Sequence, residues 1–228
     1  MLVLLHGFMD SWHTWDLVRP ALERRRELLV PALPGHVGGP PVGELHSGVL
    51  ADAVERELDA AGVDTADLAG NSLGGYVALQ LAERGRARSI VAFAPGGGWL
   101  DDSWQETLDM QEQLRAGRLS SPLRLMVEHP ERLPRDAVAH LAAAVAGCTG
   151  AEAMTAHVRA HGWPLDPARV TCPLRIVWGT EDKLLPWPRA AARYRAWFPH
   201  ADWIELDGVG HAPQLEVPLE AAQLILGF

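Results

Sequence analysis

An α/β fold on a mainly parallel sheet is what the sequence predicts, and three observations predict it. Short apolar runs alternate with helix-period stretches toward both ends of the chain. The pentapeptide Gly70-Asn71-Ser72-Leu73-Gly74 lies at the seam between one such run and one such stretch. Between about residues 98 and 170 the alternation stops, and only helical segments follow one another.

The elements follow in order. Residues 2–6 form a buried strand that runs into His6-Gly7. A helix is expected from about Trp12, with Trp12, Trp15, Val18 and Leu22 on one stripe and Asp10 or Ser11 as cap. Residues 28–33 read as the next strand, followed by a Gly/Pro-rich loop through Gly43. Leu50, Val54 and Leu58 mark a helix from about Ser47 that ends before Gly62. Residues 66–69 are a short strand, and Leu73, Val77 and Leu81 place a helix after it that stops near Gly85. A strand at 89–94 comes next. Helical segments at 102–116, 122–129, 135–146 and 150–161 are separated by Gly117, Pro130, Pro134 and Gly147. Strands at 174–179 and 202–206 complete the pattern.

A serine on a tight strand-to-helix turn has its hydroxyl in the open, where it can attack a carbonyl. Such a nucleophile needs a base to take its proton and an acid to hold that base in one tautomer. Asp182 and His211 both follow the C-terminal ends of predicted strands, as Ser72 does. In a parallel sheet those loops converge on one edge, where ligands bind. Asp101 and Asp102 are a rival place for the acid, with the look of a helix cap; Glu181 suits the surface. Phe8 N–H and Leu73 N–H are the expected donors to a developing oxyanion, and His6 reads as a structural support for that loop.

His6-Gly7-Phe8, Leu33-Pro34-Gly35-His36, the segment from Gly70 to Gly75, Gly179-Thr180-Glu181-Asp182 and Gly210-His211-Ala212-Pro213 stand in an order that resembles the α/β-hydrolase-fold serine hydrolases. The resemblance implies Ser72 as nucleophile, Asp182 as orienting acid and His211 as base, with no cofactor. It implies a core of residues 1–97 and 171–228 and a helical cap at 98–170, with Gly96 to Gly98 as a candidate hinge. It also excludes the branches with a nucleophilic aspartate, such as haloalkane dehalogenases and epoxide hydrolases, because the elbow carries serine. Ala32 replaces an aspartate common in the family. Two strands usual in the family before the His-Gly strand are missing, since that strand starts at residue 2. The expected sheet is therefore six-stranded, with residues 28–33 at one margin and an exposed edge open to pairing with a second copy.

The substrate is expected to be a small, mainly apolar molecule carrying an ester or related acyl bond. Of the nine tryptophans, Trp12, Trp99, Trp104 and Trp187 fall in segments bordering the predicted mouth, and His36 joins them as a pocket candidate, whereas Trp178, Trp197 and Trp203 fit the core. Two other readings keep the fold: a carbon–carbon bond hydrolase, lyase or synthase, and a non-catalytic receptor for a small ligand. A net charge of −9 argues against nucleic-acid binding. His157 and His161 have helical metal spacing but no third ligand nearby, so no metal is expected. Cys148 and Cys172 read as packing residues. Without an 18-residue apolar window or a leader pattern, the chain reads as cytoplasmic and free of membrane.

Overall fold

A computed structural model describes residues 1–119 and 123–228. The elements are β1 (Leu2–Leu5), α1 (Arg19–Leu22), β2 (Leu28–Leu29), α2 (Ser47–Ala60), β3 (Ala66–Asn71), α3 (Leu73–Glu83) and β4 (Ala87–Phe93). Then come α4 (Trp104–Arg115), α5 (Leu123–Met126), α6 (Arg135–Gly147) and α7 (Ala151–His161). The chain returns to the sheet with β5 (Leu174–Gly179), α8 (Ala192–Trp197) and β6 (Asp202–Leu206), and closes with α9 (Pro213–Glu216) and α10 (Pro218–Leu226). The start of the helix expected at 122 lies outside the described residues.

The six strands pair in the order β2-β1-β3-β4-β5-β6, and every pairing is parallel. Side chains alternate across the sheet, as the two-residue period of a strand requires. In β1, Val3 and Leu5 enter the layer that holds α2 and α3, while Leu2 and Leu4 enter the layer with Trp15, Leu22 and Ile225. Both faces are thus covered, which is the usual condition of a parallel sheet. No single described helix is long and apolar enough to cross a membrane.

Two expected elements are shorter than the sequence suggests. The stretch from Trp12 divides into a 3₁₀ turn, Trp12–Trp15, and the four-residue α1. Pro20 lacks the N–H that a continuous helix would need there. Trp15, Val18 and Leu22 are fully buried as the stripe predicts, but Trp12 stays half-exposed. Neither Asp10 nor Ser11 caps it through a side chain; Ser11 N–H instead donates to Asp10 Oδ1 at 2.8 Å.

The strand expected over 28–33 is only Leu28–Leu29. Pro31 offers no donor, and Leu33 N–H turns away to donate to His6 Nε2 at 3.2 Å. The margin position is as expected: β2 pairs with β1 alone among the described residues.

Candidate active site

Ser72 joins β3 to α3 with φ 56° and ψ −118°, a conformation that side-chain-bearing residues rarely adopt. Its backbone is tied on both sides. Ser72 N–H donates to Phe93 O at 2.9 Å, and Ser72 O accepts from Tyr76 N–H at 3.1 Å and Gly96 N–H at 3.0 Å. The neighbouring Asn71 side chain donates to Phe93 O at 3.2 Å and to His211 O at 2.9 Å, and its Oδ1 accepts from Gln214 at 3.1 Å. One fully buried amide therefore joins the serine turn to the histidine loop. The sequence reading passed over it, because only its place between Gly70 and Ser72 marks it out.

Asp182 follows β5 and His211 follows β6, and both are buried. His211 Nδ1–H donates to Asp182 Oδ2 at 2.7 Å. Asp182 Oδ1 accepts from Leu184 N–H at 3.0 Å and Leu185 N–H at 2.7 Å, which fixes the carboxylate in one orientation. A carboxylate can only accept, so Nδ1 carries a proton, and in the neutral tautomer that this selects, Nε2 keeps its lone pair. Nε2 is buried and makes no hydrogen bond, to Ser72 Oγ or to any other described group. Asp101 is elsewhere: 62 % exposed, it accepts from Ser103 N–H at 3.0 Å.

Phe8 N–H and Leu73 N–H donate no backbone hydrogen bond among the described residues. Leu73 is the first residue of α3, where an N–H has no intrahelical acceptor. A small pocket of about 20 Å³ lies over Ser72, bounded by Phe8, Leu73, Trp99, Trp104, Trp163 and Met154 among others. Trp99 and Trp104, two of the anticipated pocket residues, thus border the same space as Ser72. Trp163, Gln111 and Met154 were not foreseen.

Three of the anticipated pocket residues lie away from Ser72. Trp12 borders a shallow cleft at the sheet margin with Arg19, Leu28 and Val30. His36 is buried behind Phe8, edge-on to its ring at 6.0 Å, with Nδ1–H donating to Pro34 O at 3.0 Å. Trp187 packs on Trp178 and Trp203, under the Arg195 guanidinium at 4.9 Å.

His6 bridges two loops. Its Nδ1–H donates to Gly7 O at 2.9 Å while Nε2 accepts from Leu33 N–H, so the ring is held neutral. Burial, with His36 nearby, pushes its pKa down to about 3, and burial pushes that of His36 down to about 4. Asp10 moves the other way: burial pushes it up to about 6.

These shifts set a pH dependence of stability. Below the usual histidine value of 6.5 the unfolded chain takes up two protons that the native state refuses, so stability present above that pH is lost as the pH falls. Asp10 opposes this between about pH 6 and 4, where the native state holds a carboxyl proton that the unfolded chain does not. The net loss expected from these three groups between pH 7 and pH 5 is about 2 kcal/mol. Urea unfolding at the two pH values measures it, and equal stabilities would contradict the buried neutral imidazoles.

His13, Asp16 and His140 bring one potential ligand atom each within 4.8 Å of one another. The two rings lie face to face, 3.8 Å apart and 17° from parallel. Their in-plane lone pairs therefore run side by side rather than toward one point. Asp16 already accepts from His13 Nδ1–H at 2.7 Å and lies 3.5 Å from Arg19. This is the geometry of a stack rather than a coordination sphere. His157 and His161 stack likewise, with His46 beyond.

The fold and the elbow define an α/β hydrolase, and the chain belongs to that family: the alpha/beta hydrolase pattern matches residues 2–224. Among particular proteins it is similar to an epoxide hydrolase, EphH, of Mycobacterium tuberculosis, 32% identical over 203 residues that cover 81% of this chain and 95% of the relative. It is also similar to a pimeloyl-[acyl-carrier protein] methyl ester esterase of Aromatoleum aromaticum, 29% identical and covering 98% of this chain and 96% of that one. A solved putative lipase of Acinetobacter baumannii superposes with a TM-score of 0.84 at 22% identity, over 100% of this chain and 82% of the other. The first of these names belongs to a branch that the sequence reading set aside.

Proposed function

We propose that the chain is a serine hydrolase of carboxylic esters or related acyl compounds. The Asp182–His211 hydrogen bond carries the reading, because it leaves a base with a free lone pair in the loop that Asn71 ties to Ser72. Ser72 Oγ attacks the carbonyl carbon as His211 Nε2 takes its proton. The oxyanion meets the N–H groups of Phe8 and Leu73, donors worth about 3–4 kcal/mol each in such sites. The ester C–O bond breaks, and the leaving alkoxide takes the proton from His211. Water then attacks the acyl-serine by the same route in reverse, restoring Ser72. Residues 98–170 act as a cap, since its residues Trp99, Trp104 and Met154 wall the serine pocket. The Gly96–Gly98 loop is pinned to the serine turn through Gly96 N–H, so we place no hinge there.

The epoxide hydrolase relative invites a second reading. Attack of Ser72 on an epoxide would leave a serine alkyl ether, which water does not cleave under these conditions, whereas a carboxylate nucleophile would leave an ester that it does. Serine at the elbow therefore favours acyl chemistry. For carbon–carbon bond hydrolysis an acidic substrate needs cationic partners. Arg115 and Arg159 border a cleft next to Phe8, but Glu112 and Glu152 border it as well, and Arg159 is engaged by Asp109 at 2.6 Å.

A fluorophosphonate probe should label Ser72, and a panel of a p-nitrophenyl ester, an aryl epoxide and a ring-fission dienoate should show fastest turnover of the ester. Faster turnover of the epoxide or the dienoate would overturn the assignment. Absence of labelling together with ligand binding would favour a receptor.

A further inference from the structure

The loop that carries His211 meets the helical segment 98–170 along the short stretch 126–129, at and beyond the end of α5. Ala212 N–H donates to Met126 O at 2.8 Å. On the other side of the histidine, the backbone of Gly210 lies against the same stretch: a Cβ added there would stand 2.8 Å from both Glu128 N and Val127 Cα. Val127 is fully buried, in a cluster with Leu141, Ala212 and Leu215. Beside Asp182, Lys183 pairs with the Glu128 carboxylate. The neighbours of His211 on both sides, and the residue that follows Asp182, therefore rest on one stretch of the helical segment.

Glu216, at the end of α9, closes this arrangement. Its Oε2 accepts from Gly210 N–H at 2.8 Å and from Glu128 N–H at 3.1 Å, and its Oε1 accepts from His129 N–H at 3.0 Å. Backbone donors from the histidine loop and from the helical segment thus converge on one carboxylate. Such loop N–H groups have no ladder partner and are costly to leave unpaired. Hydrogen bonds to a carboxylate are also stronger than those between neutral groups. His211 is thereby held through its ring by Asp182, through its carbonyl by Asn71, and through the N–H groups on either side by Glu216 and Met126 O.

We propose that Glu216 is a positioning residue for the reaction at Ser72: by joining Gly210 to Glu128 and His129, it sets where the imidazole stands and makes that placement depend on the docked helical segment. The inference rests on the reading of His211 as the base of an acyl hydrolase, and it assigns Glu216 no contact with substrate. Both proton transfers of that reaction run through the imidazole, so a displaced His211 slows acylation and deacylation alike. A displacement of about 1 Å can cost on the order of 10²-fold in rate. Binding should change little, because Trp99, Trp104 and Trp163 wall the serine pocket from other segments. Met126 also borders the cleft beside Phe8, so the stretch that holds the base meets the space next to that pocket.

The test is ester hydrolysis by Glu216→Ala and Glu216→Gln, each checked for folding by thermal unfolding, alone and combined with His211→Ala. Glu216→Ala is expected to lower kcat about 10²-fold with KM changed by less than about threefold. Glu216→Gln keeps one acceptor oxygen and is expected to lose only about tenfold in kcat; it carries the test if the alanine variant does not fold. Combined with His211→Ala, neither substitution is expected to slow the residual reaction further, because the group through which Glu216 acts is gone. A kcat within about threefold of the unmodified protein in both variants would overturn the inference. So would a loss that recurs in full on top of His211→Ala, since that loss would belong to the scaffold and not to the base. Failure of the acyl-hydrolase reading has a different signature: ester turnover that persists in Ser72→Ala, whatever Glu216 does.

Discussion

Ser72→Ala is expected to lower kcat for a p-nitrophenyl ester by a factor on the order of 10⁶, and His211→Ala by a similar factor. The two effects should not add. Each substitution disables the same step, transfer of the serine proton as the oxygen attacks, so the double variant should be about as slow as either single one. What remains in all three is the contribution of binding and of the Phe8 and Leu73 N–H groups, worth on the order of 10³–10⁴ over the reaction in water. Asp182→Asn should cost less, on the order of 10⁴, because the imidazole stays in place but loses the partner that fixes its tautomer. The fold should be untouched by Ser72→Ala, since the turn is held through backbone atoms of Ser72 rather than its hydroxyl. Activity retained within tenfold in Ser72→Ala would reject the nucleophile, and additive losses would reject a shared step.

The parts of this site that were legible in the sequence are those whose position is set by the backbone next to them. The Gly70–Gly74 turn places Ser72 whatever the remainder of the chain does, and Asp182 and His211 follow strands whose parallel order brings them to one edge. The asparagine between Gly70 and Ser72 was visible only as a letter of that motif; its ties to His211 and Gln214 span 140 and 143 residues and have no local signature. The walls of the pocket were hidden for a related reason. Helices α4 and α7 turn Gln111 and Met154 toward Ser72, but periodicity shows only that one face is apolar, not which neighbour it meets. Trp12, Trp187 and His36 were misplaced on the same account: nearness to the mouth in sequence does not say which surface a ring packs on. The shortness of β2 was hidden because it depends on the imidazole of His6 capturing Leu33 N–H across the sheet edge.

The turn that made the site readable also gives a large expected effect on stability. A Cβ added at Gly74 would lie 2.2 Å from Leu5 O and 2.6 Å from His6 O, backbone atoms of the last residue of β1 and the one after it. No rotamer relieves such a contact. The helix must lift from β1, and it would carry Leu73 N–H and Ser72 away from the histidine loop. Gly74→Ala is therefore expected to destabilise the fold by more than about 3 kcal/mol, at the upper end of what single substitutions do. Gly62 provides the comparison. Its φ of +68° is strained for alanine, but nothing lies within 4 Å of the added atom. Gly62→Ala should cost only about 1–2 kcal/mol, the local price of a left-handed backbone. Thermal unfolding of the two variants side by side separates a steric wedge between helix and sheet from backbone strain alone. A Gly74→Ala protein as stable as Gly62→Ala would mean that α3 does not rest on β1 as closely as described, and the positions assigned to the Leu73 N–H and the serine would fall with it.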